Sequence, residues 1–169
     1  MNSPAHILGE DGTDIELTGS ADNYEITLQL FAQANRSIDI FSQQLNDAIF
    51  NHLALIDQLK RFLLAAHTNQ VRILLRDTEH LIKTRNHLFN LAQRITSNLA
   101  VKKIHPDYAA DPQDFLIVDG RGIIRRPHGE RFEGIANFNH PGPARELSDY
   151  FDEVWNHSTP VSDIKRLYI

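Results

Sequence analysis

The chain has 169 residues, enough for one domain with a real core, since a domain of about 150 residues buries roughly two thirds of its unfolded surface. An apolar fraction of 41% and a charged fraction of 23% exclude a disordered or fibrous chain, and the absence of cysteine excludes disulfides, thiolate nucleophiles and the common structural zinc sites. A net charge of -5 argues against indiscriminate nucleic-acid binding, which draws most of its free energy from neutralising phosphates.

Met1 to Ser20 carries Gly9, Gly12 and Gly19 among acidic and small polar residues and reads as a loosely ordered arm with one edge strand at Thr13 to Leu17. From residue 21 to 169 a single domain is expected. Asp22 is a plausible helix cap, and Ile26, Leu30, Phe31 and Ala34 follow at helical spacing. Ser37 to Ser42 alternates as a strand does. Asp47 to Thr68 reads as a second helix with Leu53, Ile56, Leu59 and Leu63 on one face, and Gln70 to Arg76 as a buried parallel strand. A third helix is expected from Thr78 through Leu81, Leu88 and Leu91 to Ile95, then a strand from Leu99 to Ile104 and a loop from His105 to Pro112 broken by two prolines.

Phe115 to Val118 and Gly122 to Arg126 make a hairpin through Asp119-Gly120-Arg121, because an Asp-Gly step favours the positive φ angles of a tight turn. Phe132 to Phe138 is the last predicted strand. His140-Pro141-Gly142-Pro143 is read as a break, and Ala144 to His157 as a closing helix whose Leu147, Tyr150, Phe151, Val154 and Trp155 are core. Helices and strands alternating early and a meander late imply an α/β sandwich, a mixed sheet flanked by helices. The apolar tail Ile164 to Ile169 is expected to dock on its own domain or on a partner. No apolar run approaches the roughly 18 residues of a membrane span, and Met1 to His6 does not resemble a signal peptide, so the expectation is a cytoplasmic protein without a membrane role.

Arg121, Arg125, Arg126, His128 and Arg131 crowd one hairpin and, with Arg76, form the best anion-binding candidates, since guanidinium forks match phosphate and carboxylate geometry. Charge runs are also what solvated faces look like. Arg76-Asp77-Thr78 ends a buried strand where α/β folds commonly present ligands, and Ser42-Gln43-Gln44 ends another; Asp77 or Thr78 has the competing role of helix cap. His128, His140 and His157 match no metal-ligand spacing, and His80 and His87 stand two turns apart, so neither a metal nor a cofactor is called for.

Gln113-Asp114-Phe115-Leu116-Ile117-Val118-Asp119-Gly120, then Glu133 and the terminal helix with Phe151 and Trp155, resemble the phospholipase D-like superfamily. Its active half-site reads H-x-K, four residues, then D. Setting Asp119 on the family Asp places the Lys position at Asp114 and the His position at Pro112. The resemblance therefore implies a phospholipase D-like α/β fold with a degenerate motif, in which Asp114, Asp119 and Glu133 are relics of a site. Asp119 has the competing role of capping its own turn, and Glu133 that of pairing with Arg125 or Arg126. Roughly from Ile26 to Ile169 the pattern also resembles an uncharacterised proteobacterial domain that follows GNAT-type acetyltransferase domains in some proteins. On that analogy an acetyltransferase partner is expected, and on the family's paired half-sites a homodimer. Three functions follow: a non-catalytic binding or interaction module, a phosphodiesterase or nuclease that uses His128 or His140 beside Asp119 or Glu133, and a sensor of an anionic small ligand.

Overall fold

In the computed structural model, which describes residues 6–95 and 97–161, the alternating Ser37–Ser42 and the apolar Gln70–Leu75 become neighbouring parallel strands, β2 and β3. Around them run β1 (Ile15–Leu17), β4 (Leu99–Lys103), β5 (Asp114–Val118), β6 (Gly122–Arg126), β7 (Gly134–Asn137) and β8 (Thr159–Pro160), in the order β1-β7-β6-β5-β2-β3-β4-β8. Strands β2, β3 and β4 are parallel, and every other pairing is antiparallel. Register matters for the site: Ser42 lies beside Leu75, and Phe41 beside Phe115, so the ends of β2 and β3 meet the start of β5.

Helices α1 (Ser20–Gln33), α2 (Asp47–Phe50), α3 (Leu53–Ala65), α4 (Glu79–Thr84) and α5 (His87–Arg94) cover one face, where Ile38, Ile40, Ile73, Leu116 and Val118 enter the larger core. Alternate side chains of the same strands, Phe41, Leu74, Phe115 and Ile117, turn to the other face and pack under α6 (Pro141–His157) through Leu147, Phe151 and Val154. Arg72 ties α6 down: its Nε bonds Asp39 Oδ1 at 2.9 Å, its Nη2 bonds Asp152 at 2.8 Å, and it stacks over Phe151. Burial pushes the Asp39 carboxyl up in pKa, against the pull of Arg72.

Several expected boundaries move, each for a local reason. Asp22 is not the cap of α1; Gly19 is, and Asp22 sits three residues on and accepts from its backbone N–H at 3.0 Å. The helix expected over 47–68 ends at Phe50 and restarts at Leu53, with Asn51 and His52 off helical angles. The helix expected over 78–95 breaks where Arg85 takes φ 46° and Asn86 caps α5 by accepting from Phe89 N. Pro141 and Pro143 do not break the chain but lie in the first turn of α6, where a missing N–H costs nothing. Residues 106–108 form a short 3-10 turn. The expected arm contributes β1 to the sheet edge, and ahead of it Gly9 N donates to Phe138 O and Leu8 N to Gln33 Oε1. The tail from Ile164 to Ile169 lies outside the described residues.

Candidate functional site

The ends of β2 and β3 and the start of β5 converge on Asp114, which is buried. Its Oδ2 accepts from Ser42 Oγ at 2.8 Å, and its Oδ1 from Gln43 N at 3.0 Å and Arg76 Nη2 at 2.8 Å. Arg126, opposite Asp114 in the β5–β6 register, brings Nη2 within 3.6 Å of Oδ2 and donates from Nη1 to Asn23 Oδ1 at 2.9 Å. Arg76 spends its remaining reach on Gln43 Oε1 and the Gln113 carbonyl and lies over the Phe41 ring. The side chains of both arginines are only 5% exposed, so two guanidinium groups share one carboxylate out of water. Burial draws the Arg126 guanidinium down in pKa and Asp114 opposes it.

The loop after β6 closes over this cluster. Gly129 donates its N–H to the Pro112 carbonyl at 2.7 Å, and a Cβ at Gly129 would stand 2.0 Å from Asp114 Oδ1. Glycine is required here by close approach. Beside the loop opens a cleft of about 330 Å³ lined by Gln43, Arg76, Asp111, Pro112, His128 and Arg131, with His128 and Arg131 exposed.

The arginines that crowd one hairpin in sequence separate in space. Arg125 and Arg126 are adjacent on a strand and face opposite sides; Arg125 donates to Gln113 Oε1 on the α6 side. Arg121 is at the far end of β6, beside Asp119 and Gly9. Only Arg76, His128 and Arg131 line the cleft, with Arg126 in the cluster beneath.

Asp119 lies at the opposite end of β5 from Asp114. It takes φ 56° and Gly120 φ 66°, the tight turn the Asp-Gly step predicts. Its carboxylate does not cap that turn; it accepts from the successive backbone N–H groups of Asn35, Arg36 and Ser37, which fixes the entry to β2. Glu133 is exposed and makes no ion pair with Arg125 or Arg126, because Arg125 pairs with Ile135 across β6–β7 and Arg126 points inward. Thr78 is the N-cap of α4, and Asp77 just before it accepts from Glu79 N at 2.9 Å. Neither His128 nor His140 bonds to Asp119 or Glu133: His128 lines the cleft and His140 a separate groove beside Pro143. Among the described residues no group of three histidine or carboxylate side chains is placed to hold a metal ion.

Asn23 and Gly129 belong to the cluster without having been singled out in the sequence. A buried asparagine on an inward helix face is a signal for the first, since an amide there needs partners. A Pro-x-Gly step directly after a strand is a weaker signal for the second.

Residues 19–167 match the family model described as Domain of unknown function (DUF7931). The chain belongs to this family. No curated protein is similar to it in sequence. In structure it is similar to Nuc from Salmonella typhimurium, a phospholipase D family member, at 15% identity and TM-score 0.59 over 88% of this chain and 99% of that one. It is similar also to NucT from Helicobacter pylori, at 12% identity and TM-score 0.62 over 89% of this chain and 98% of that one. A third likeness is to TrmBL2, an archaeal chromatin protein with a novel mode of DNA binding, at 14% identity and TM-score 0.64 over 88% of this chain. That match takes in 53% of TrmBL2, so this chain spans about half its length. At such identities the likeness shows the fold alone: a phospholipase D-like α/β architecture with a mixed sheet between helices.

Proposed function

We propose that the chain is a non-catalytic phospholipase D-like domain that works as a binding or protein-interaction module. Asp114 carries the reading. With Asp119 set on the family Asp, the lysine of the active motif falls at Asp114, whose carboxylate is bonded to Arg76 and lies 3.6 Å from Arg126. The cations at the strand ends therefore hold an internal anion where a phosphodiester would need them free. The histidine position falls at Pro112, which has no nucleophile. A relocated histidine calls for a carboxylate within hydrogen-bond reach, and neither His128 nor His140 has one at Asp119 or Glu133. The test is release of p-nitrophenolate from bis(p-nitrophenyl) phosphate by pure protein, with and without divalent metal. No turnover is expected; turnover that vanishes in His128→Ala/His140→Ala would overturn the reading.

One observation favours a sensor of an anionic small ligand as a second reading. The buried cluster holds two guanidinium groups against one carboxylate, and Arg131 and His128 stand exposed at the rim of the cleft beside it. The cluster beneath carries one net positive charge, and Arg131 and His128 offer donors to an anion at a rim they share with Asp111 and Glu130. Orthophosphate or succinate should then raise the melting temperature of the wild type and leave Arg131→Ala unmoved. Absence of any shift removes the sensor reading and leaves the interaction module.

A further inference from the structure

Helices α3 and α5 pack side by side over the larger core, and between them runs a groove of about 430 Å³. Leu53 and Lys60 of α3 form one wall, Arg94 of α5 the other, and the buried Ile56 and Leu91 the floor. Leu53 is 61% exposed and Leu64 67%, two of the four large apolar side chains left exposed among the described residues. They stand on one stripe of α3 with Lys60 between them, separated by about three turns or about 17 Å. A single exposed leucine is ordinary, but a pair on one helical stripe beside a groove is the form of a helix-docking surface.

Charge selects the occupant. In a chain of net charge -5, α3 and α5 carry three cations, Lys60, Arg61 and Arg94, against one carboxylate, Asp57. All three cations are exposed and none is in an ion pair among the described residues. A second copy laid on the same face would oppose these cations to their own equivalents, and residues 162–169 would bring Lys165 and Arg166 with a single Asp163. Gln93, also on the lining, holds its Nε2 out of water with no acceptor among the described residues, a cost that an acceptor on an occupant would relieve. The face therefore suits a segment that is acidic and apolar together.

We propose that the groove between α3 and α5 takes an acidic amphipathic helix of a partner protein, with its apolar side chains on Leu53, Leu64 and the floor and its carboxylates on Lys60, Arg61 and Arg94. The proposal rests on the reading of the chain as an interaction module, and it gives that module a surface that shares no residue with the Asp114 cluster or the cleft at Arg76.

The probe is a capped helical peptide of about two heptads, leucine on one face and glutamate on the other, with a twin that has lysine for glutamate. Titrated into the isotope-labelled full chain, the acidic peptide should bind and move the amide resonances of α3 and α5. Lys60→Glu/Arg94→Glu should weaken it about tenfold or more, as should Leu53→Ser/Leu64→Ser, and all four side chains are exposed, so circular dichroism should show the fold intact. The lysine peptide should bind the charge-reversed chain and not the wild type. No binding by the wild type, resonance changes elsewhere, or equal affinity for the two peptides would overturn the proposal. So would another occupant of the face: self-association in sedimentation that Leu53→Ser/Leu64→Ser abolishes, magnetic contacts in the free chain from residues 162–169 to Leu53 or Leu64, or binding of phosphatidylglycerol vesicles or duplex DNA that depends on Lys60 and Arg94. Turnover of bis(p-nitrophenyl) phosphate would strike the interaction reading itself and leave the titration to decide the surface.

Discussion

Asp114→Ala removes the one carboxylate that two buried guanidinium groups share. In the wild type it accepts at 2.8 Å from Ser42 Oγ and Arg76 Nη2 and at 3.0 Å from Gln43 N, and Arg126 Nη2 is 3.6 Å away. Without it Arg76 and Arg126 keep their charge with 5% exposure each and face one another across the space it leaves. Removing one partner of a buried ion pair costs about 3–5 kcal/mol. For a domain of this size that corresponds to a melting temperature lower by about 6–20 °C, out of a total stability of roughly 5–15 kcal/mol. Urea unfolding followed by fluorescence of Trp155, the single tryptophan, gives the number. Asp114→Asn, which keeps the shape and drops the charge, should fall between wild type and alanine. Asp114→Lys, which installs a third cation, should be the most damaging of the three. A loss under about 1 kcal/mol for Asp114→Ala, the range of an exposed ion pair, would refute the description of the cluster as closed to water.

Gly129→Ala places its Cβ 2.0 Å from Asp114 Oδ1 and 3.1 Å from Arg76 Nη2, and should cost about 1–3 kcal/mol in the same urea assay; a neutral result would mean the loop over the cluster gives way freely. Asp119→Ala strips the acceptor from the backbone N–H groups of Asn35, Arg36 and Ser37, with an expected loss of about 1–3 kcal/mol and faster hydrogen exchange at those three amides. Asp22 is driven up in pKa by burial, but the backbone N–H groups of Thr18 and Gly19 outweigh this and hold it below its ordinary value. Asp22→Asn should therefore cost roughly 0.3–1 kcal/mol at neutral pH, the worth of a first-turn carboxylate, a difference fully present above pH 3.8 and lost as the pH falls below it, where a pH-independent cost would contradict the assignment. Gel-shift titrations with duplex DNA at physiological salt should show no complex, because the net charge is -5 and the hairpin arginines do not share a face; saturable binding would contradict this.

The sheet was legible because its signals are local. Alternation in Ser37–Ser42, the apolar run at Gln70–Leu75 and the Asp119-Gly120 step each name a strand or turn within a few residues. The helix breaks at Asn51 and Arg85 were not, since apolar residues continue at helical spacing on both sides while Asn46 and Asn86 cap new starts. The two strand ends stood out as places where α/β folds present ligands, and Ser42, Gln43 and Arg76 do bond to Asp114 or to each other. The partnership with Arg126 was hidden by its neighbour: in a linear reading Arg125 and Arg126 look alike, and only the strand's period of two sends one outward and the other in. Glu133 looked like their partner for the same reason. Contacts such as Arg126 with Asn23, 103 residues apart, have no local signature at all.

In the proposed function Asp114 already occupies the anion seat of the phospholipase D-like fold. Crystals of the wild type soaked in tungstate, a tetrahedral oxyanion that scatters anomalously, test this by position. The prediction is an Asp114 carboxylate still bonded to Arg76 with no tungsten between Arg76 and Arg126, whether or not an ion settles at the rim near Arg131. A tungsten peak bonded to both buried arginines, with Asp114 swung away, would contradict it.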